Sequence, residues 1–366
     1  YKDSRQKGED RLTFLKRASG VEGLYVPLLY DVTYHEDGTI ASMEPNCKEA
    51  PNRVKKQVVT DLSDTYYPSK PLVPYIRATQ DRVVLEIQRG CIRGCRFCQA
   101  GMIYRPIRPR KLDFLKQRAI EMLDNTGYEE ITLSSLSSSD YDELADLVYY
   151  LIEECRQRKL NIALPSLRID AFSLDVMSKV QDIRKSSLTF APEAGSQRMR
   201  DVINKGLTKD VILKGAWEAF QGGWKRVKLY FMLGLPGETD EDFEVTCRFL
   251  EEIRPAFLHV FPYSVRPNTP AAEMNGKVAP GVAAHRVQRL GELSSRLYRG
   301  FCAAQQGREA KVLWESTRRG GDMFGFTENY IKVRTPFDRE RINTITRVRL
   351  GALDADGVAQ ATILSE

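Results

Sequence analysis

The chain has 366 residues, 42% hydrophobic and 28% charged, with a formal net charge of +6. That composition excludes a small disulfide scaffold, a collagen-like repeat and a disordered polyelectrolyte, and the length sets a prior of two or three domains. Charges interrupt every apolar run before the eighteen or so residues that a spanning helix needs, so no membrane segment is predicted.

The N-terminal stretch YKDSRQKGED lacks the apolar core of a secretory signal, which predicts a cytoplasmic protein with reduced thiols. Residues 1–79 show short strand signals around an Asp37-Gly38 turn, then a charged patch and the Pro-punctuated YYPSKPLVPY. They are predicted to form a β-rich extension and linker. From residue 80, short β-branched runs at 82–88, 130–135, 161–166, 186–191, 226–233 and 257–263 alternate with helical patterns at 111–125, 140–158, 172–182, 208–221, 239–253 and 281–305. Thr208 and Thr239 stand at helix starts as capping residues. Strict alternation predicts an α/β domain over 80–307, with a parallel sheet of six units forming an incomplete (β/α)6 barrel. Chemistry in that architecture belongs at the C-terminal ends of the strands. Over 308–366, AKVLWES, GFTENYIKVRT, TRVRLGAL and VAQATIL alternate like the strands of a small antiparallel β-barrel.

Charge is concentrated. Between Arg89 and Arg118 there are nine Lys or Arg against one acid, Asp113, which suits an anionic partner such as phosphate or nucleic acid; the alternative is a solvated basic loop. Seven cysteines are unevenly placed, with Cys91, Cys95 and Cys98 in GCIRGCRFCQAG and Cys47, Cys155, Cys247 and Cys302 scattered. An odd, clustered set points to metal rather than disulfides. Three thiolates cannot complete a tetrahedral zinc site, and His35, His259 and His285 all lie far along the chain. Three ligands on a four-iron cluster leave one iron open to bind a chelating ligand and pass it an electron. The alternative is a structural zinc that recruits Cys155 or Cys302.

The CxxxCxxC spacing of Cys91, Cys95 and Cys98, with aromatic Phe97 before the third cysteine and a barrel strand just ahead, resembles the radical S-adenosylmethionine (radical SAM) superfamily. The resemblance implies a 4Fe-4S cluster on these cysteines, an external electron donor, and S-adenosylmethionine cleaved to a 5′-deoxyadenosyl radical. It also implies that the backbone around Phe97 lies near the adenine. LSSLSSSDY ends the second strand and offers Ser134, Ser135 and Ser137 to the methionyl amine, or else these are ordinary loop residues leading into Asp140. PSLRID ends the third and offers Ser166 and Arg168, the arginine suited to a carboxylate or alternatively to a surface salt bridge. APEAGS ends the fourth, where Glu193 resembles the acid turned toward the ribose hydroxyls. FMLGLPGET ends the fifth and resembles the Gly-Pro-Gly-Glu turn beside the adenine. Gly234 and Gly237 there permit close backbone approach, and Glu238 alternatively serves the next helix.

Two narrower resemblances divide the chain. Residues 1–240, including RGCIRGCRFCQAGMIYRPIRPR and FAPEAGSQRMRDVINKG, resemble cobalamin-associated radical SAM proteins. These carry their cobalamin-binding domain ahead of the extension, so cobalamin is doubtful for the residues present. From about 240 onward, HVFPYSVRPNTPAAEMNGKVAP and GFTENYIKVRT resemble tRNA methylthiotransferases, whose C-terminal unit is an RNA-binding TRAM domain and whose N-terminal domain holds three more cysteines. Only Cys47 precedes Cys91 here, and a fragment, or a fusion of two family halves near GLPGETDEDFE, is one explanation. The resulting expectation is a radical SAM enzyme acting on RNA, most directly tRNA. The alternatives are a cobalamin-associated methyltransferase-type enzyme and an RNA-binding module with a structural metal. In the tail, Arg318, Arg319, Lys332, Arg334 and Arg347 with Phe326 and Tyr330 are the candidate phosphate-and-stacking surface, against the alternative of ordinary surface charges and core aromatics.

Overall fold

The computed structural model describes residues 1–63, 65–76, 78–165, 167–171, 188–224 and 226–364. Two compact units result, Tyr1–Thr65 and Tyr66–Glu366. In the first, β1 (Tyr30–Tyr34) and β2 (Ile40–Pro45) pair antiparallel about the Asp37-Gly38 turn, with Gly38 at φ +81°. Two helices, Lys2–Gln6 and Arg11–Ser19, precede this hairpin, where the sequence showed only strand signals. The second starts on an Asp10 cap whose carboxylate accepts from the amides of Leu12 and Thr13 at 2.8 and 3.0 Å. Their shortness and charge leave little apolar periodicity to detect.

The second unit opens with β3 (Val83–Glu86), followed by a two-residue ladder between β4 (Gln88–Arg89) and β5 (Arg108–Pro109). Strands β3, β6 (Glu130–Ser134) and β7 (Asn161–Ala163) form one parallel sheet, and β8 (Leu188–Glu193), β9 (Val227–Leu233) and β10 (Phe261–Pro262) form another. All six expected runs therefore contain parallel strands, but in two three-stranded sheets. No ladder joins β7 to β8 among the described residues, and the helix expected at 172–182 lies outside them.

Helices cover these sheets because their apolar residues recur at helical spacing. Leu112–Thr126 buries Leu115, Ala119, Met122 and Leu123; Leu144–Arg158 buries Leu147, Val148, Leu151, Ile152 and Cys155. Both pack with Val83, Leu85, Ile131 and Leu133 in one core. Around the second sheet lie Lys209–Gln221, capped by Thr208, and Asp240–Ile253, which begins with a reciprocal Thr239–Asp242 capping box.

The long helix Pro280–Ala303 leads into five strands: β11 (Glu309–Arg319), β12 (Asp322–Thr327), β13 (Lys332–Pro336), β14 (Ile345–Leu353) and β15 (Ala359–Ile363). They close into a ring in the order β11-β12-β13-β15-β14. One correction to the expected antiparallel arrangement is needed, since β13 and β15 pair in parallel, Val333 with Ala359. Alternation in sequence fixes which face is buried but not the direction of a neighbouring strand. Trp314, Val312, Met323, Val333 and Val348 fill the ring together with Cys302 from the long helix. Among the described residues no helix is long and apolar enough to cross a membrane.

Gly195 sets how closely the loop after β8 meets the helix Asp240–Ile253: a Cβ there would lie 2.6 Å from the Cα of Thr246. Gly195→Ala is expected to cost about 1–3 kcal/mol through backbone displacement, read as a lower denaturant midpoint with an unchanged slope.

Candidate functional site

Cys91, Cys95 and Cys98 occupy the loop between β4 and β5, beyond the C-terminal end of β3. Gly90, at φ +86°, closes the base of that loop; a Cβ on it would lie 2.7 Å from the carbonyl oxygens of both Tyr104 and Pro106. All three cysteines are free and partly buried. The Cys91 sulfur accepts from the amide of Arg93 at 3.4 Å, and the Cys98 sulfur accepts from that of Gly101 at 3.3 Å, at the start of the helix Gln99–Ile103. Burial pushes the Cys95 thiol up, while the nearby cations of Lys205 and Arg168 pull against it.

The loop is stitched to distant segments. Arg96 donates its amide to the Ile203 carbonyl at 3.0 Å, and its own carbonyl accepts from the amide of Ala271 at 2.9 Å. The Asn204 side chain donates to the Gly94 carbonyl at 3.0 Å, and Gln99 reaches the Pro267 carbonyl at 3.1 Å. Phe97 packs with Ala194, Met199, Ile203 and Leu235.

The basic run around this loop is engaged in bonds within the fold, with Arg108 and Arg110 buried. Arg93 is ion-paired with the almost buried Asp140; burial opposes ionisation of that carboxyl, yet the guanidinium holds it below its usual range. Arg89 and Arg110 both bind Glu86, at 2.7 and 2.8 Å, and Arg110 lies 4.4 Å above the Tyr67 ring. Arg105 and Arg108 donate to the carbonyls of Arg93 and Pro106, each at 3.1 Å. These side chains help build the loop, while Arg89, Arg96, Arg105 and Lys111 remain exposed.

The other expected residues fall at successive strand ends. Ser134 ends β6, and its carbonyl accepts from the amide of Ile87 at 3.0 Å. The Ser135 hydroxyl accepts from the amide of Ser137 at 3.1 Å and lies 3.0 Å from the Ser138 hydroxyl, which follows the loop-forming alternative. Ser137 is buried, its carbonyl accepting from the Gln88 side chain at 2.7 Å. Ser166 lies outside the described residues. Arg168 grips Asp170 through two bonds of 2.9 Å and donates to the Lys205 carbonyl at 3.2 Å, so its fork already holds a carboxylate. Glu193 takes φ +70° at the end of β8 and pairs with Lys205 at 3.2 Å. Burial pushes the Glu193 carboxyl up, against the pull of Lys205.

Gly234 and Gly237 have φ of +73° and +82°, conformations that side chains strain to adopt. The Gly234 amide donates to Glu238 at 3.0 Å, and that of Gly237 to the Gly276 carbonyl at 2.8 Å. Glu238 also forms a buried pair with Arg286; burial raises its carboxyl, opposed by the Gly234 amide and by Arg286. Sequence reasoning missed Lys205, Asn204, Arg286 and Asp242 as parts of this assembly. Their partners lie up to 110 residues away, and only Asp242, three residues after Thr239, carries a local spacing signal.

Among the described residues no three His, Cys, Asp or Glu side chains converge where one metal ion would be held. A four-iron cluster needs no such point, because each thiolate binds a different iron, and three sulfurs on one braced loop fit that donor requirement.

In the ring, Phe326 and Lys332 stand opposite each other on β12 and β13, with the Lys332 ammonium 5.1 Å from the Phe324 ring centre. Arg318 lies 4.7 Å over Phe337, and Arg319 is exposed. Arg334 sits between Asp322 and Asp354 at 3.7 and 3.4 Å, and Arg347 is paired with Glu309. Tyr330 stacks instead under Arg226, 4.7 Å away, just before β9.

Residues 85–250 match the family model of the radical SAM superfamily. The chain is 38% identical over 190 residues to an uncharacterized protein of Methanocaldococcus jannaschii, covering 51% of this chain and 41% of that one. It is 28% identical over 285 residues to the threonylcarbamoyladenosine tRNA methylthiotransferase MtaB of Bacillus subtilis, covering 74% and 62%. It is 29% identical over 300 residues to the tRNA-2-methylthio-N(6)-dimethylallyladenosine synthase of a Jannaschia species, covering 78% and 63%. The chain thus spans between 41% and 63% of the length of these relatives. Among solved structures, the radical S-adenosylmethionine methyltransferase TsrM of Kitasatospora setae aligns with a TM-score of 0.48 at 13% identity, covering 74% of this chain and 50% of that one. Coproporphyrinogen III oxidase HemN of Escherichia coli aligns with a TM-score of 0.47 at 14% identity, covering 74% and 66%.

Two outcomes follow from the bracing contacts. Asn204→Ala removes one hydrogen bond of about 1 kcal/mol, so a disulfide reagent should label Cys95 in the metal-free chain about fivefold faster. Asp242 accepts from Ser196 at 2.8 Å and from the Thr239 amide at 2.9 Å, and pairs with Arg198. Burial opposes its ionisation, but these donors depress its carboxyl far below the ordinary 3.8. A depressed carboxyl contributes stability that is present above its ordinary value and lost as pH falls below it. Asp242→Asn should therefore be less stable at pH 7 and show a flatter loss of melting temperature below about pH 4.

Proposed function

We propose that this chain, whose residues 85–250 belong to the radical SAM superfamily, holds a 4Fe-4S cluster on Cys91, Cys95 and Cys98, binds S-adenosylmethionine and modifies RNA by a methylthiotransferase-like route. The observation that carries the reading is the cysteine loop: three thiols within eight residues, at the ends of parallel strands, two of them already accepting backbone amides. When bound, the cluster supplies one electron to the sulfonium compound, whose cleavage gives a 5′-deoxyadenosyl radical.

Residues of the chain position the substrate and exclude water. The Arg168 fork offers bidentate donors to the methionyl carboxylate once Asp170 yields its place, and the Ser134 and Ser135 end of β6 faces the amine. Glu193, held in place by its ion pair with Lys205, accepts from the ribose hydroxyls. The positive-φ backbone at Gly234 and Gly237 and the Phe97 wall flank the adenine. In this reading the two parallel sheets are halves of one incomplete (β/α)6 barrel and the C-terminal ring is a TRAM-like domain. Names of the tRNA-modifying relatives support RNA, tRNA above all, as the partner. An external donor provides the electron.

The chain reconstituted anaerobically with iron and sulfide should form 5′-deoxyadenosine from S-adenosylmethionine under reductant. Cys95→Ala should reduce that product to background and lower bound iron; undiminished cleavage in this variant would overturn the assignment.

A further inference from the structure

Between Arg89 and Lys111 the chain carries seven cations and no acid. Two carboxylates from neighbouring segments reach this run, Glu86 to Arg89 and Arg110, and Asp140 to Arg93. Arg96, Arg105 and Lys111 are exposed and have no carboxylate within ion-pair distance among the described residues. The Arg96 guanidinium donates to the Val202 carbonyl, and that of Arg105 to the Arg93 carbonyl at 3.1 Å. A carbonyl orients a guanidinium without cancelling its charge. These two cations are therefore held in place and uncompensated. Lys111 stands just before the helix Leu112–Thr126 and makes no side-chain cap there.

The run folds back on itself around the cysteines. A Cβ on Gly90 would lie 2.7 Å from the carbonyl oxygens of Tyr104 and Pro106, and Arg105 reaches across to Arg93, so residues 90–93 lie alongside 104–106. Three large side chains of this region are open to water, Ile92 at 59%, Ile103 at 45% and Tyr104 at 48%. Ile92 directly follows Cys91, so an exposed apolar group adjoins one of the three thiols. Apolar groups next to fixed cations have the layout of a small protein interface, with an apolar centre and a charged rim. Two of the three apolar side chains are aliphatic and give bases no aromatic platform, which favours an acidic protein surface over a nucleic acid.

We propose that Ile92, Ile103 and Tyr104, with Arg96, Arg105 and Lys111, form the docking surface for an acidic electron-carrier protein that reduces the cluster held by this loop. This rests on the radical SAM reading above. The carrier loses one electron and the cluster gains one; no atom or proton is transferred. Redox encounters bury less than about 1,200 Å² and depend on charge steering more than on area, in keeping with a patch of three apolar groups and three uncompensated cations.

The test compares two reductants on the full chain reconstituted with iron and sulfide: flavodoxin, an acidic flavoprotein, kept reduced by NADPH and its reductase, and dithionite, a small anion that needs no docking surface. The readout is the ratio of 5′-deoxyadenosine formation with flavodoxin to that with dithionite, so that any general damage to the loop cancels. Lys111→Glu should lower the ratio about fivefold at subsaturating flavodoxin, through a higher half-saturating concentration. Arg105→Gln keeps a donor for the Arg93 carbonyl and removes only the charge; it should lower the ratio by a similar factor, and Arg105→Lys should restore it. Salt at about 0.3 M should slow the flavodoxin reaction and leave the dithionite reaction unchanged. A ratio that stays constant in Lys111→Glu and Arg105→Gln overturns the docking surface, as does an equal fall in Arg105→Gln and Arg105→Lys. Weaker tRNA binding by these variants at a constant ratio assigns the cations to nucleic acid and likewise overturns it. Absence of 5′-deoxyadenosine with dithionite in the unsubstituted chain overturns the radical SAM reading itself, and the docking surface with it.

Discussion

The loop that carries Cys91, Cys95 and Cys98 has no core of its own, and its shape depends on backbone hydrogen bonds from segments that arrive late in the chain. Arg96 is the pivot: its amide meets Ile203 and its carbonyl meets Ala271. Gly94 cannot gain a Cβ without pressing on Asn204, because the approach that makes that hydrogen bond leaves 2.8 Å. A loop held this way takes its shape only when the segment after β8 and the segment after β10 are both in place. Folding of the unit and geometry of the thiols are thus one event, which agrees with the principle that donor sets need support from the surrounding polar groups.

Electrostatics around the loop follows the same logic. Buried charges are costly unless paired, and four ion pairs stand around the cysteines: Arg93 with Asp140, Arg168 with Asp170, Lys205 with Glu193, Arg286 with Glu238. Lys205 links two of these pairs, with its ammonium on Glu193 and its carbonyl on Arg168. The pairs differ in how tightly they are enclosed. Arg286 and Glu238 are almost completely buried, whereas Asp170 and Arg93 are partly exposed.

The long helix joins two tasks. Its first turns brace the glycine-rich end of β9, and its last turns complete the ring, whose core includes Cys302. The ring is accordingly an integral part of its unit. Its outer face has cations that the ring itself engages, Arg334 and Arg347, and others directed across aromatic faces, Arg318 and Lys332.

Local sequence determined much of this protein. Alternation and helical periodicity marked the six parallel strands, the described helices that cover them and the strands of the ring, because face burial imposes a period that survives without any knowledge of neighbours. The CxxxCxxC spacing likewise identified its own loop, since all three donors lie within eight residues. What only the tertiary structure decided was pairing between distant residues. Nine clustered cations suit an anion, and only the structure shows that Glu86, Asp140 and loop carbonyls already engage Arg89, Arg93, Arg105, Arg108 and Arg110. The parallel closure of β13 on β15 and the bracing by Asn204 and Lys205 were invisible for the same reason. Each depends on which segments meet in space, and that choice is made by packing across the whole unit rather than by the propensities of neighbouring residues.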